Sequence, residues 1–151
     1  MDCVRLHVVA ADDTVTQQAL KLEVRDAVLE CARGLLWNCK DAQEAWNVVL
    51  GNTEALEAAA ADRACALGEK AAICCEAGVF AFPDRQYGDV ILPAGDYRAL
   101  RVVIGEGRGH NWWCVLFPSL CWPDGAPEPG EVRFHSVILD WIRGLIGGDG
   151  A

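Results

Sequence analysis

Between residues 14 and 117, the hydrophobic period of this chain changes once, near residue 70. On the N-terminal side, apolar residues recur every three to four positions, which is the spacing of one helix face. This stripe comprises Leu20, Val24, Ala27, Val28, Cys31 and Leu35. On the C-terminal side, the segments 71–82, 88–92, 98–104 and 112–117 have the composition of strands. Helices and strands that occupy separate parts of a chain are typical of an α+β domain.

Three helices are predicted before the change of period. They begin at Thr14, Asp41 and Asn52, whose side chains suit the unpaired amides of a first helical turn. Thr14 and Asp41 are each followed three residues later by a glutamine or a glutamate, which is the pattern of a capping box. Gly51 ends the second helix and Gly68 lies near the end of the third, because glycine adopts the left-handed conformation of a helix end without strain.

The strands are predicted to form an antiparallel sheet of about four to five strands. A short strand at 5–10 precedes the helices, and short loops join the later strands. Short loops connect antiparallel neighbours, whereas parallel neighbours need a long crossover. The glycine-rich loop 105–109 leads into a strand, so we interpret it as a hairpin loop. A phosphate-binding loop would lead into a helix N-terminus instead.

A proline- and glycine-rich linker at 123–131 separates the strands from a final amphipathic segment. We expect a C-terminal helix at 133–146 that packs on the sheet through one apolar stripe. The stripe comprises Phe134, Val137, Ile138, Trp141, Ile142 and Leu145. A chain of 151 residues can bury a core of its own, so residues 1–151 are predicted to form a single domain.

The charge of the chain restricts its partners. Its formal net charge of -9 disfavours a long contact with the phosphates of nucleic acid or with an anionic membrane surface. No apolar run approaches the ~20 residues that cross a bilayer, so we expect no direct membrane insertion of this chain. A protein partner or a small ligand is favoured, and no cofactor is predicted.

The reactive residue types form no familiar catalytic or metal-binding pattern. The eight cysteines include no pair with C-x-x-C spacing, and the three histidines belong to no nucleophile or metal motif. These histidines are His7, His110 and His135. Helix capping explains Asp12 and Asp13. No catalytic, cofactor-binding or metal-binding residue is therefore predicted. The alternative that stays open is a cytoplasmic thiol- or metal-dependent enzyme that uses Cys114, Cys121 and a histidine.

Aromatic residues are concentrated in the last third of the chain. Trp112 and Trp113 are adjacent on a strand and must point to opposite faces, so one can join the core while the other faces outward. Exposed tryptophan is a frequent anchor at protein interfaces. The candidate partner-binding residues are Trp112, Trp113, Arg108, His110 and Trp122.

Cys114 and Cys121 are a candidate disulfide. Cys114 lies in the last strand, and Pro118 ends that strand and turns the chain. The intervening residues allow Cys121 to curl back until the two Cα atoms lie within about 7 Å, as a disulfide requires. The alternative is a pair of buried thiols, since the chain carries other cysteines too.

Several separated blocks of sequence carry a family resemblance. They read RLHVVAADD, QALKLEVRDAVLE, YGDVILPAGDYRALRVVIGEGRGHNWWCVLFPSLC and the final EVRF…ILDWI stretch. Together they resemble the stage II sporulation protein R (SpoIIR) family of endospore-forming bacteria. The resemblance covers about residues 4–145, and it implies a signalling protein rather than an enzyme.

The resemblance also implies a partner and a location. SpoIIR-like proteins are made in the forespore and exported into the space between its two membranes. There they activate a membrane-embedded SpoIIGA-type aspartic protease, which processes pro-sigma-E for the mother cell. Family members generally begin with a hydrophobic export segment, whereas this chain leads from Met1 almost directly into the first shared block. We therefore expect that the chain is truncated at its N-terminus.

Overall fold

The computed structural model describes residues 3–87 and 90–118. The predicted linker at 123–131 and C-terminal helix at 133–146 lie outside these residues. Three helices and six strands follow one another along the described part of the chain. They are β1 (Val4–Val9), α1 (Val15–Leu36), α2 (Ala42–Gly51), α3 (Thr53–Ala66), β2 (Ile73–Phe82), β3 (Arg85–Tyr87), β4 (Val90–Leu92), β5 (Gly95–Ile104) and β6 (Asn111–Phe117). The predicted α+β class is confirmed.

Local hydrogen bonds explain where the helices begin. The side chains of Thr14 and Asp41 each accept a hydrogen bond from the backbone amide three residues later, at 3.2 and 2.8 Å. These bonds confirm the predicted N-caps of α1 and α2. Asn52 precedes α3 as predicted, but its side chain does not cap that helix. Its amide nitrogen instead donates to the Val48 carbonyl at 2.8 Å, near the end of α2.

The main sheet has four strands in the order β2-β5-β1-β6. Strand β1 runs parallel to β5 and antiparallel to β6, and β2 runs antiparallel to β5. The sheet is therefore mixed, and the expectation of a wholly antiparallel sheet is wrong. That expectation treated sequence neighbours as spatial neighbours, whereas β1 inserts between two strands from the other end of the described chain. Strands β3 and β4 form a separate two-stranded sheet.

The loop between β5 and β6 is also not a hairpin loop, because β1 lies between these strands. Residues 105–110, here named the crossing loop, pass over the end of β1. The amides of Arg108 and Gly109 donate to the carbonyls of Ala11 and Ala10, at 3.1 and 2.9 Å. The loop glycines at 105 and 107 have φ values of 57° and 63°, a conformation that glycine adopts without steric cost.

The hydrophobic core lies between the helices and one face of the main sheet. Alternate residues of the central strands point into this core. They include Leu6, Val8, Leu100, Val102, Trp112 and Cys114. The opposite face, here named the aromatic face, carries Arg5, His7, Phe82, Tyr97 and Trp113. All six residues of β1 are buried, so its side chains are covered on both faces of the sheet.

We predict that Gly109→Ala destabilises the fold. A Cβ atom at this position would lie 2.7 Å from the carbonyl carbon of Asp12, so the backbone would have to move. Overpacking of this kind costs about 1–3 kcal/mol. The control is Gly34→Ala in the exposed part of α1, where an added Cβ meets nothing within 4 Å. This control should gain up to about 1 kcal/mol from its helix propensity. Urea unfolding measures both, and equal stabilities would contradict the close approach of the crossing loop.

Candidate functional site

The crossing loop is attached to the residues that follow β1. The Asp13 carboxylate accepts a hydrogen bond from the His110 amide at 2.7 Å and lies 2.9 Å from Nδ1 of the same residue. These two residues are 97 positions apart in the chain, so only the sheet topology brings them together. The sequence explained Asp13 by helix capping alone. Its position in the loop shortly after the predicted strand 5–10 was the one available signal, because loops next to rigid elements often carry functional residues.

Residues at the start of α1 hold the segment after β1 and the crossing loop in place. The Asp12 carboxylate accepts hydrogen bonds from the amide and the hydroxyl of Thr14, at 2.9 and 2.6 Å. These bonds, with the hydroxyl bond as the larger cause, lower the pKa of Asp12 below its usual value. The Gln18 side chain donates to the Asp12 carbonyl at 3.0 Å, and Lys21 Nζ donates to the His110 carbonyl at 3.3 Å. The crossing loop is thus held from two sides.

Arg108 is an exposed cation on the crossing loop. Its side chain is 77% exposed and forms an ion pair with Glu106 at 3.0 Å. An exposed pair like this contributes little to stability, so the Arg108 guanidinium is available to a partner. Arg108 and His110 therefore lie together on a held, accessible loop. Their role in partner binding stays a prediction.

Trp112 and Trp113 point to opposite faces, as the sequence indicates. Trp112 is buried on the core side, where the Arg25 guanidinium lies 4.5 Å from its ring centroid. Trp113 is half-buried on the aromatic face and stacks on the His7 ring with 3.9 Å between centroids and 12° between planes. The ring of Phe82 meets Trp113 edge-on at 5.0 Å. The structure thus places Trp112 in the core and Trp113 on the aromatic face, whereas Arg108 and His110 lie on the crossing loop, and Trp122 lies outside the described residues.

Arg5 is fully buried on the aromatic face. Its guanidinium lies 4.2 and 4.6 Å from the ring centroids of Phe82 and Tyr97, and Nη2 donates to the Tyr87 hydroxyl at 2.7 Å. Within residues 3–87 and 90–118, its Nε and Nη1 atoms have no hydrogen-bond partner. Aromatic rings therefore provide much of the environment of this charge. Sequence patterns do not reveal this burial, because a polar residue in an alternating strand is expected to face solvent.

His7 is a neutral, buried hydrogen-bond donor. Burial, as the largest cause, lowers its pKa from 6.5 to about 4, with a further lowering by the nearby Arg101 charge. The hydrogen bond to Asn111 acts in the opposite direction and raises this pKa. The His7 Nε2 atom lies 2.8 Å from Oδ1 of Asn111, and an oxygen acceptor requires a hydrogen on that nitrogen.

The pKa of His7 predicts a loss of stability in mild acid. Below pH 6.5 the unfolded chain binds a proton at His7, which the folded protein does not bind until about pH 4. The free energy of unfolding therefore keeps its full value above pH 6.5 and falls as the pH decreases, by at most about 1.4 kcal/mol per pH unit. The control, His7→Gln, keeps a donor for Asn111 but does not titrate. Urea unfolding at pH 7, 6 and 5 should show that the wild type loses more stability than the variant; a constant difference would contradict the prediction.

Within residues 3–87 and 90–118, Cys114 and His7 do not assemble the enzyme site of the alternative hypothesis. Cys114 pairs with Leu6 in the sheet, and His7 pairs with Trp113, so the Cys114 and His7 side chains lie on opposite faces. Cys114 is buried and disulfide-bonded, whereas Cys121, its predicted partner, lies outside the described residues. Within residues 3–87 and 90–118, the cysteines that are not disulfide-bonded are Cys3, Cys31, Cys39, Cys65, Cys74 and Cys75.

The described part of the chain contains neither a candidate metal-binding cluster nor a helix that could span a membrane. No group of three or more histidine, cysteine, aspartate or glutamate side chains there is arranged to hold a metal ion. Among the helices of that part, none has the length and apolar composition to cross a membrane.

Comparison with known proteins identifies the family. The profile of the family described as stage II sporulation protein R matches residues 1–126. The chain belongs to the stage II sporulation protein R family. It is 34% identical over 121 residues to stage II sporulation protein R of Bacillus subtilis (strain 168), covering 80% of this chain. The chain spans 54% of the length of that relative. No solved structure matches this chain.

The sequence blocks that resemble the SpoIIR family are neighbours in the fold. The block RLHVVAADD contains most of β1, and QALKLEVRDAVLE lies in α1. The described part of the block that begins at Tyr87 includes β5, the crossing loop and β6. Strand β1 pairs with both β5 and β6, so the first and third of these blocks meet directly. The expectation of a SpoIIR-family protein is confirmed.

Proposed function

We propose that this SpoIIR-family protein is a sporulation signal that acts between two cellular compartments. It is exported from the forespore and activates a membrane-embedded SpoIIGA-type aspartic protease, which then processes pro-sigma-E. The observation that carries this proposal is the family match over residues 1–126. The relative from Bacillus subtilis supports it over most of this chain.

The state of the reactive residues supports a signal that works by binding rather than by chemistry. His7 is neutral and stacked on a ring, and the His110 ring is engaged by Asp13. Burial, as the largest cause, raises the pKa of the Cys75 thiol to about 12, so this thiol is protonated at physiological pH. Each of these groups has a structural environment that explains it without catalysis.

In the proposed mechanism, the protein shifts the protease toward an active conformation that the protease already samples. A ligand shifts such an equilibrium only by its differential affinity for the two states. A rigid contact surface favours this because little conformational freedom is lost on binding. The crossing loop meets this condition, since Asp13 and Lys21 hold His110 while Arg108 stays exposed.

The direct test is reconstitution of the processing reaction. The protein is co-expressed with the cognate protease and pro-sigma-E, and processed sigma factor is detected by immunoblot. Processing is expected only when all three components are present. Equal processing without this protein would overturn the proposed function.

The accessible loop predicts a specific loss-of-function variant. Arg108→Glu should reduce processing at least several-fold, because it places a second negative charge beside Glu106 at the proposed contact. The fold should be preserved, since the Arg108 backbone amide keeps its bond to Ala11. Lys70→Glu is the matched control, because it makes the same charge change at another exposed position. Equal processing by both variants would exclude Arg108 from the contact.

We also propose that Cys121 is the disulfide partner of Cys114. Support comes from the disulfide-bonded state of Cys114, since the other six cysteines in the described part of the chain are not disulfide-bonded. Disulfides persist in oxidising compartments, so this bond agrees with export. In mass spectrometry of the exported protein without reduction, the peptides that carry Cys114 and Cys121 should be linked. Alkylation of both sulfurs without prior reduction would contradict the pairing.

A further inference from the structure

The outer edge of β2 carries backbone groups that point away from the sheet. Strand β2 is the first strand of the main sheet, and among the described strands it pairs with β5 alone. The Cys75 amide donates to the Glu57 carboxylate of α3 at 2.8 Å, so this amide points away from β5. In an antiparallel pair, this orientation recurs at every second residue. The amides of Ala77, Val79 and Ala81 therefore also point outward.

These three amides form an open edge. They have no hydrogen-bond partner within residues 3–87 and 90–118. The Val79 side chain is 64% exposed, and Ala81 is exposed as well. Exposed edges of soluble proteins usually contain lysine, proline or a bulge that blocks further strand pairing. Residues 77–81 read Ala-Gly-Val-Phe-Ala and contain none of these.

Pairing of two copies of this chain through the centre of the open edge brings like charges together. A closed dimer would require antiparallel pairing about a two-fold axis, here at Val79. This register places Cys75 of one copy opposite Pro83 of the other, so the Glu57 carboxylate that binds the Cys75 amide meets Asp84. Symmetry repeats this contact of like charges, and each copy carries a formal net charge of -9. The edge therefore favours a different protein.

The surrounding charges define the chemistry of the occupant. Glu57 lies at the Cys75 end of the open edge, and the exposed Asp96 pairs with Ala81 at the other end. Between these carboxylates Arg98 pairs with Val79, but its guanidinium donates to Gln43 Oε1 at 2.9 Å, so the edge offers backbone groups and the exposed Val79 side chain. A complementary segment is extended, apolar in its middle and basic at its ends.

We propose that residues 77–81 of β2 bind an extended segment of a partner protein by strand addition. This inference rests on the proposed function, which identifies the partner as the SpoIIGA-type protease. The bound segment becomes a fifth strand of the main sheet and accepts hydrogen bonds from the amides of Ala77, Val79 and Ala81. The edge thereby supplies affinity through main-chain hydrogen bonds, while the exposed Val79 side chain contributes to the choice of sequence.

Substitutions at Val79 separate this binding mode from ordinary surface contact. Val79→Pro removes one outward amide, whereas the ladder to β5 uses the amides of Gly78 and Phe80 and remains. Val79→Thr keeps the amide and the branched shape and is the matched control. Val79→Lys keeps the amide but adds the charge that protects natural edges. Circular dichroism and thermal unfolding establish that each variant is folded.

Two measurements use the purified, detergent-solubilised protease as the probe. Val79→Pro and Val79→Lys should each weaken capture of the protease about tenfold or more, while Val79→Thr stays within about twofold of wild type. Residue-resolved amide exchange of the wild type should show new protection at Ala77, Val79 and Ala81. The amides of Gly78 and Phe80, already bonded to β5, should change little.

The outcomes separate the two proposals. If the wild type binds the protease and triggers processing while both edge variants do the same, strand addition at β2 is overturned and the proposed function stands. Uniform protection of residues 77–81, or none, overturns strand addition in the same way. If the wild type neither binds the protease nor triggers processing, the proposed function fails, and the assignment of this partner to the edge fails with it.

Discussion

The position of β1 between β5 and β6 is the constraint on which the rest of the structure depends. All six residues of this strand are buried, and it makes a parallel pair on one side and an antiparallel pair on the other. Most of the described chain lies between β1 and these two partners, so their pairing requires the closure of a long loop. The entropy cost of such closure grows only slowly with loop length, and burial of both faces of β1 offsets it.

The candidate site is a direct consequence of this topology. Because β1 separates β5 from β6, the crossing loop must pass over the end of β1 to connect them. Its amides find acceptors in Ala10 and Ala11, and its His110 finds the Asp13 carboxylate. A loop of a simple hairpin would lack these acceptors and would move more freely. The position of β1 therefore gives the exposed Arg108 a defined place.

The two faces of the sheet are stabilised by different interactions. On the core side, aliphatic residues of β1 pack against the helices. On the aromatic face, Arg5 is buried among rings and a tyrosine hydroxyl. Removing a charge from water is costly, and contacts with ring faces and one hydrogen bond offset part of that cost. The stacking of Trp113 on a neutral His7 extends the same packing to β6.

The sequence by itself determined the elements whose causes are local. Caps at Thr14 and Asp41, the apolar stripe of α1 and the strand segments are visible because they depend on residues a few positions apart. The same local signals established that Trp112 and Trp113 face opposite ways. The spaced sequence blocks also suffice to identify the SpoIIR family.

Only the tertiary structure decided how these elements meet. No local pattern states that β1 pairs with β5 in parallel, because hydrogen bonds between strands do not depend on side-chain identity. The same limit hid the contact of Asp13 with His110 and the burial of Arg5, since each depends on residues far along the chain. Cys31 shows the limit on a smaller scale. It lies on the predicted core stripe but is only half-buried, because it borders an open groove between α1 and α3. Periodicity determines which residues share a face, whereas burial depends on what packs against that face.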